Sequence, residues 1–483
     1  MTTFNQLNLS ALLFFLIVGG SIKCYSQDET PTKFDPEEYV SGTLPVLYVT
    51  TENEEEITSK DYYLTATYWL DAMGIEGYEN VGSAAKPLAT QIKGRGNATW
   101  RLDKKPYRLK LDKKAELLGM KKNKHFVLLA NANDVNFRKD AIGFELSRRM
   151  GLEWTPTMKP IELVINGDYR GVYYLCEKIR VEPDRVNIVE QADEETAPET
   201  ITGGWLVEID NYVESNQVTI PDRTNGGTIK FTPETPEVLS AEQKEYLTNL
   251  VTKVDNAIYD NDPNGTEWSE YIDIDALARF YVIQEIMDNG ECFSGSCYWH
   301  KDIGEDTKIV FGPVWDFGCS YCHSAQDFQR FIYEDVPSYS SQRWIGEIAK
   351  HNNFQAKVRE IWAEFKANAY DGLFDYIDAQ GALIIDAMNK DHLRWPQYAT
   401  YSIPSRIRGA KMFLTKKIAW LDEMWDEPIV TALKDIELAQ EDIINTAYYD
   451  INGRSSAEPY SGFNIIVVNY KNGSKKVSKA VLN

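Results

Sequence analysis

What this chain lacks narrows its function first. A membrane-spanning helix needs about 20 consecutive apolar residues. The apolar run at residues 11–20 (ALLFFLIVGG) has about half that length, and no later segment is longer and as apolar. Basic residues are in deficit: 51 Lys and Arg against 73 Asp and Glu give a formal net charge of −22. That balance argues against a general nucleic-acid binder and fits a soluble protein of the cell exterior. No internal repeat is visible, so the chain is not a repeat array. No Lys or Arg precedes the apolar run, which is atypical for the start of a secretory leader. The run's length, and the small and polar residues that follow it through Ser26-Gln27, nevertheless match a signal peptide. Residues 1–26 are expected to be that leader, and the mature chain is expected to be exported to the periplasm, cell surface or medium. Ser21, Ile22 and Lys23 make a poor lipidation context for Cys24.

Cysteine is sparse and uneven. Of six, Cys24 and Cys176 stand apart, while Cys292, Cys297, Cys319 and Cys322 fall close together. Disulfides are the expectation in an exported protein. Free thiols are a second reading. Cys319-Ser-Tyr-Cys322-His323 also has haem-attachment spacing, and the four clustered cysteines could hold zinc.

With 43% apolar residues over 483 positions, the chain can bury a large core. Residues 27–44 read as an acidic linker. Strands are expected at 44–50, 62–69, 91–100, 105–112 and 126–130. A hairpin turns at Asn166-Gly167 (161–175), and a further strand covers 203–210. In 105–112, alternation puts Tyr107, Leu109 and Leu111 on one face and Arg108 and Lys110 on the other. Helical periodicity marks 138–150, 241–259, 274–287, 344–350, 354–369, 379–390 and 404–424, with Asp273 or Asp275 as the N-cap of the third and Asp378 as that of the sixth. Strands followed by helices predict an α+β fold, with a β-rich part at 45–210 and a helical part at 211–425. Residues 426–483 carry late strand signals with turns at Asn452-Gly453 and Asn472-Gly473. They resemble the last strands of C-terminal sorting modules on exported Bacteroidetes proteins.

The most informative stretch is IVFGPVWDFG at 309–318. A strand runs into Gly-Pro, and Asp316 then stands between Trp315 and Phe317. A carboxylate among aromatics costs free energy unless a partner compensates it, and metals and phosphates are common partners. Other features fall in the order that phosphoryl transfer needs: basic residues Arg108 and Lys110, a helix carrying Glu145, a helix end at Asn289-Gly290-Glu291, then Asp316. A hairpin at 296–311 would fold Glu291 back toward Asp316. Glu145 is also spaced to pair with Arg148 or Arg149 on its own helix.

These residues make the chain resemble the CotH family, the spore-coat-H-like kinases. The likeness rests on KGRGNATW (93–100), KKPYRLK (104–110), LGM (118–120), Asp134 with Phe137-Arg138, VINGDYRGVYYLCEK (164–178), GGWLVEID (203–210) and GPVWDF (312–317). It covers roughly residues 45–425. The resemblance implies a divergent protein-kinase-like fold that uses ATP and Mg²⁺ or Mn²⁺ to phosphorylate protein Ser or Thr. It assigns Asp316 to the metal and Lys110 to the nucleotide phosphates, with Lys93, Arg95 and Arg108 as competing cations and Glu177 near the nucleotide. Asn289 opens the catalytic loop. The family's catalytic Asp falls on Glu291 and its second Asp after Trp-Asp-Phe falls on Gly318. Asp288 is a substitute acid, and Ser296 stands where a metal-binding Asn is usual. With Glu291 and Gly318 changed, the alternative reading is a pseudokinase that serves as an envelope or surface binding protein. No acceptor protein is identified.

Overall fold

A computed structural model describes residues 33–132, 139–224, 226–322, 331–333, 343–425, 443–450, 454–470 and 475–482. The leader at 1–26, Cys24, Asp134, Phe137, Arg138, His323 and the turns at 452–453 and 472–473 lie outside the described residues.

After a one-turn helix α1 (Pro36–Tyr39), seven strands close into a barrel. They are β1 (Val46–Thr51), β2 (Leu64–Asp71), β3 (Leu88–Gly94), β4 (Tyr107–Leu117), β5 (Met120–Leu129), β6 (Met158–Ile165) and β7 (Asp168–Glu177). Neighbours run antiparallel in the order β1-β2-β3-β4-β5-β7-β6, and a parallel β1–β6 pairing closes the ring. Alternation builds the barrel's interior from every second residue, among them Leu47, Ile92, Leu109, Phe126, Leu163 and Leu175, all buried. Arg108 and Lys110 therefore lie on the outer face, as the pattern predicted. The β6–β7 turn is Asn166-Gly167, with both φ values positive (52° and 70°), the two-residue turn that suits a twisted hairpin. β5 starts earlier than expected because its first half, Lys121 to Lys124, is polar and carries no strand-like apolar pattern.

Helix α2 (Lys139–Arg149) follows the barrel's fifth strand. A second, five-stranded sheet has the order β12-β11-β8-β10-β9. Its strands are β8 (Trp205–Ile209), β9 (Val218–Pro221), β10 (Thr228–Thr235), β11 (Cys297–Lys301) and β12 (Val310–Phe311). β9 and β10 escaped the sequence reading because Pro221 and Pro233 interrupt them, and the β8–β10 register shifts at Pro233. β8 pairs with β10 and β11, so this sheet joins sequence on both sides of residue 210.

Helices complete the core: α3 (Ala241–Ile258), α4 (Ile274–Met287), α5 (Arg343–Ile348), α6 (Asn352–Glu364), α7 (Leu373–Arg394) and α8 (Ile403–Trp425). Asp273 caps α4, its Oδ1 accepting from Ala276 N at 2.9 Å. Asp378 is not a cap, however. α7 begins at Leu373 after Gly372 (φ 70°), and Asp378 lies inside it. α4 is buried from Leu277 to Met287 apart from Arg279, which makes it the central helix. A separate antiparallel sheet holds β13 (Ile443–Tyr449), β14 (Ser455–Ser456), β15 (Gly462–Tyr470) and β16 (Lys475–Leu482). No helix among the described residues is long and apolar enough to cross a membrane.

Candidate active site

The 315–318 turn is built so that its aromatics point in and its acid points out. Phe317 is fully buried and Trp315 is 9% exposed, and both pack on Phe144 of α2, with ring centroids 6.2 and 5.7 Å away. Asp316 takes a left-handed backbone (φ 52°), which turns its side chain away from those rings and leaves it exposed. The first turn of α2 clamps this geometry. Lys139 Nζ donates to Gly318 O at 2.8 Å, and Asp140 Oδ1 accepts from Phe317 N at 2.9 Å. Gly143 lets the helix approach, since a Cβ there would lie 2.2 Å from the Phe317 ring.

Asp316 opens onto a cleft of about 730 Å³ between the barrel's outer face and the five-stranded sheet. Lys93, Arg95 and Arg108 come from β3, its end and β4, and Lys178 follows β7. Glu208, Asp210 and Glu234 come from β8, its end and β10, while Glu291, Ser296 and Asp316 come from the irregular segments around β11 and β12. The cleft therefore has a basic wall and an acidic one.

Electrostatics differ along these walls. Lys178 pairs with Glu234 at 3.2 Å. Burial pushes the Glu234 carboxyl up, but Lys178 outweighs it and holds the group below the usual range. Burial, with Asp210 and Glu234 nearby, raises Glu208 well above that range. Burial also raises Asp210 and Glu291; for Glu291 the Cys319 thiol lowers it in part and Asp316 adds to the rise. On the basic wall, burial and neighbouring Arg108 lower Lys93. Lys93, Arg95 and Arg108 form no ion pair among the described residues, and Arg108 Nε is buried without a hydrogen-bond partner.

The expected site residues divide. Lys93, Arg95, Arg108, Glu291, Ser296 and Asp316 share the cleft. Lys110 does not: it lies one alternation further along β4, exposed, with its Nζ 5.9 Å from the Tyr63 ring. Of the competing cations, Lys93, Arg95 and Arg108 line the cleft and Lys110 does not. Glu177 is buried, and its Oε2 accepts from Thr157 N at 2.8 Å, away from the cleft. Asp288 is also withdrawn, fully buried and 3.1 Å from Lys417 Nζ, which Glu285 binds at the same distance. Its left-handed conformation (φ 50°) ends α4, and its carboxylate binds Lys417 whereas Glu291 lines the cleft. Glu145 pairs with Arg149 at 2.7 Å and Arg148 at 3.4 Å, the same-helix role that its spacing allowed.

Asn289 is buried and supports the turn. Its Nδ2 donates to Gln284 Oε1 at 3.0 Å and to Asp316 O at 3.2 Å. Gly318 N donates to Asp316 Oδ1 at 3.0 Å, and a Cβ on Gly318 would come within 2.9 Å of that oxygen. Where the resemblance implied a second acid, the backbone itself binds the first.

Among the described residues Cys176, Cys292 and Cys297 are free thiols, so the disulfide expectation is not met for these three. Cys319 Sγ donates to Glu291 Oε2 at 3.0 Å and Cys322 Sγ to Asp288 Oδ2 at 3.4 Å. No group of three or more His, Cys, Asp or Glu among the described residues is placed to hold a metal, which tells against a zinc cluster.

The sequence reading missed Glu208, Asp210, Glu234 and Lys178 as cleft residues. A signal for Glu208 was present: it is the one acid in an otherwise apolar strand, the same oddity that drew attention to Asp316. Glu234 gave no signal because β10 itself was not recognised.

No curated protein matches the chain. A family model described as "CotH kinase protein" matches residues 92–421, which span the basic wall, the acidic wall and the central helix α4. That match takes in more than half of the sequence, and the chain belongs to the CotH family.

Proposed function

We propose that the chain is a kinase-like phosphotransferase that carries the γ-phosphoryl group of ATP to Ser or Thr of an acceptor protein, aided by Mg²⁺ or Mn²⁺. The observation that carries this reading is the outward carboxylate of Asp316 in a cleft that also presents Lys93, Arg95 and Arg108, which form no ion pair among the described residues. The residues fit the absent groups. Arg108 Nε is a buried donor with no acceptor among the described residues, as a phosphate oxygen would supply, and Asp316 offers the single carboxylate with which Mg²⁺ is commonly held, its other ligands being phosphate oxygens and water. ATP would supply the phosphoryl group, and the divalent ion would neutralise its charge. Asp316 would bind the ion, held in place by Gly318 N, Asn289 and the α2 clamp. Lys93, Arg95 and Arg108 would hold phosphate oxygens, and Trp315, with Arg95 5.8 Å from its ring, would exclude water from one side. Glu291 would orient the acceptor hydroxyl and take its proton at a carboxylate oxygen. The barrel and the helical layer would play the parts of a kinase's two lobes, and the N-terminal leader would put the activity outside the cytoplasm.

A second reading, a nucleotide-binding protein with little or no transfer, rests on Gly318, which leaves the turn with one acid. The two separate in a transfer assay with γ-labelled ATP, Mg²⁺ or Mn²⁺ and a Ser/Thr peptide library. The proposal expects labelled phosphoserine or phosphothreonine that disappears in Glu291→Gln. Nucleotide binding with no label transferred would leave the second reading standing and sink the first.

A further inference from the structure

On a chain of net charge −22, one side of the barrel is locally basic, and this basic face does not stop at the cleft. Registers on the barrel's outer face place Lys93, Arg108 and Val127 in one row and Gln91, Lys110 and His125 in the next. The first row lines the cleft and the second does not. Each such step is roughly 7 Å along the strands. Arg95, beside Trp315, continues the line in the other direction, its N–H donating to Pro106 O at 3.2 Å. A track of cations thus leads away from Asp316: Arg95, then Lys93 and Arg108, then Lys110 with Arg180 beside His125.

The second row behaves as a cationic surface. Lys93 and Lys110 stand 4.9 and 5.9 Å from the same Tyr63 ring. Burial together with Arg180, Arg108, Lys178 and Lys110 depresses His125 to about 3, so its ring is neutral among four cations, and its Nδ1 is buried without a hydrogen-bond partner. The counter-charges are Glu234 on Lys178 at 3.2 Å, Glu182 on Arg180 at 3.2 Å, and Asp61 and Glu237 acting on Lys93 at longer range. Lys110 and Arg108 form no ion pair among the described residues.

We propose that Lys110, with Arg180 beside it around His125, forms a second anion subsite that binds a phosphorylated or acidic side chain of the acceptor protein. This rests on the phosphotransfer reading for the meaning of "acceptor", but the subsite's binding is separately measurable. The nucleotide belongs at the Arg95–Asp316 end of the track, and Lys110 lies two rows further out, roughly 13 Å away. An extended peptide covers that span in about four residues. The favoured substrate therefore carries an anionic residue about four positions from its acceptor Ser or Thr, and a product phosphoserine could serve as the anchor for the next transfer.

The test is fluorescence anisotropy of a labelled peptide on the full chain without nucleotide. Peptides carry phosphoserine, Glu or Ala four residues from a Ser, and the proteins are wild type, Lys110→Gln and Lys110→Glu. The phosphoserine and Glu peptides should bind roughly tenfold or more tightly than the Ala peptide. Lys110→Gln should remove most of that advantage and Lys110→Glu all of it, while ATP-dependent thermal stabilisation stays as in wild type. Equal binding of all three peptides overturns the subsite. So does a loss of nucleotide stabilisation in Lys110→Gln, which would return Lys110 to the nucleotide, or equally tight binding of a single-stranded oligonucleotide of the same charge. Absence of nucleotide stabilisation in wild type counts against the phosphotransfer reading alone and leaves the anisotropy result to decide the subsite.

Discussion

The two walls of the cleft are made in different ways. The basic wall stands on regular strands: Lys93 and Arg108 face outward because strand residues alternate, and β3 and β4 pair in register. The acidic wall stands partly on backbone that no strand or helix provides. Ser296 and Asp316 of the wall, and Asp288, withdrawn from the cleft at the end of α4, all have positive φ, at 49°, 52° and 50°, a region that non-glycine residues seldom occupy. Such positions persist only when neighbours hold them. Here the holders are α2 through Lys139 and Asp140, Asn289 beneath the turn, and Lys417 beneath Asp288. The comparison implies that the basic wall is locally robust, whereas the acidic wall depends on distant supports.

Substitutions at those supports test this difference, and the largest effect is expected at Lys417. It is fully buried between Glu285 and Asp288, so Lys417→Met leaves two carboxylates without their cation. A loss of about 3–5 kcal/mol in denaturant unfolding is expected. Unchanged stability would show that the acidic wall does not need this support. Gly143→Ala should cost about 1–3 kcal/mol by overpacking the Phe317 ring, and should weaken nucleotide stabilisation by moving the turn. A variant as stable and as active as wild type would mean that α2 does not set the turn.

The basic wall should respond locally. Arg108→Gln is expected to weaken ATP binding roughly tenfold by calorimetry, with little change in unfolding. If affinity is unaffected, the barrel contributes nothing to nucleotide binding. The smallest expected effect is a pH dependence. His125 has a folded pKa of about 3 against an ordinary 6.5, so the unfolded chain binds more protons between those values. Its contribution to stability is present above pH 6.5 and falls as the pH drops toward 3. About 1 kcal/mol should be lost by pH 5, allowing for screening at a partly exposed ring. His125→Gln should flatten that slope, and a parallel slope in the variant would remove His125 from the cationic cluster.

The same division governed what could be read from the sequence. Strand alternation correctly put Arg108 opposite Leu109 in facing, and Asn166-Gly167 correctly marked a two-residue turn. The start of α4 is legible from two candidate caps, Asp273 and Asp275, of which Asp273 is the side-chain cap. What alternation cannot show is how far along a strand a cleft extends, so it does not separate Lys110, outside the cleft, from Arg108, inside it. Asp288 misled because a sequence does not reveal which way a left-handed helix end turns its side chain. The barrel's closure depends on the parallel β1–β6 pairing between distant segments, and no local pattern encodes it. Spacing groups the four clustered cysteines together, whereas the Cys319 and Cys322 thiols lie against Glu291 and Asp288.

The central claim is that Asp316 is the cleft's metal-binding acid, and nucleotide-dependent thermal stabilisation tests it most directly. Melting is followed with ATP alone, Mn²⁺ alone and both together, for wild type and Asp316→Ala. Asp316 is exposed, so the variant should still fold, melting slightly below wild type without ligand because Ala loses the Gly318 N–H acceptor and suits φ 52° less well. The account predicts that wild type is stabilised by ATP and Mn²⁺ together and that Asp316→Ala is not. Equal stabilisation of both proteins by the metal–nucleotide pair would contradict it.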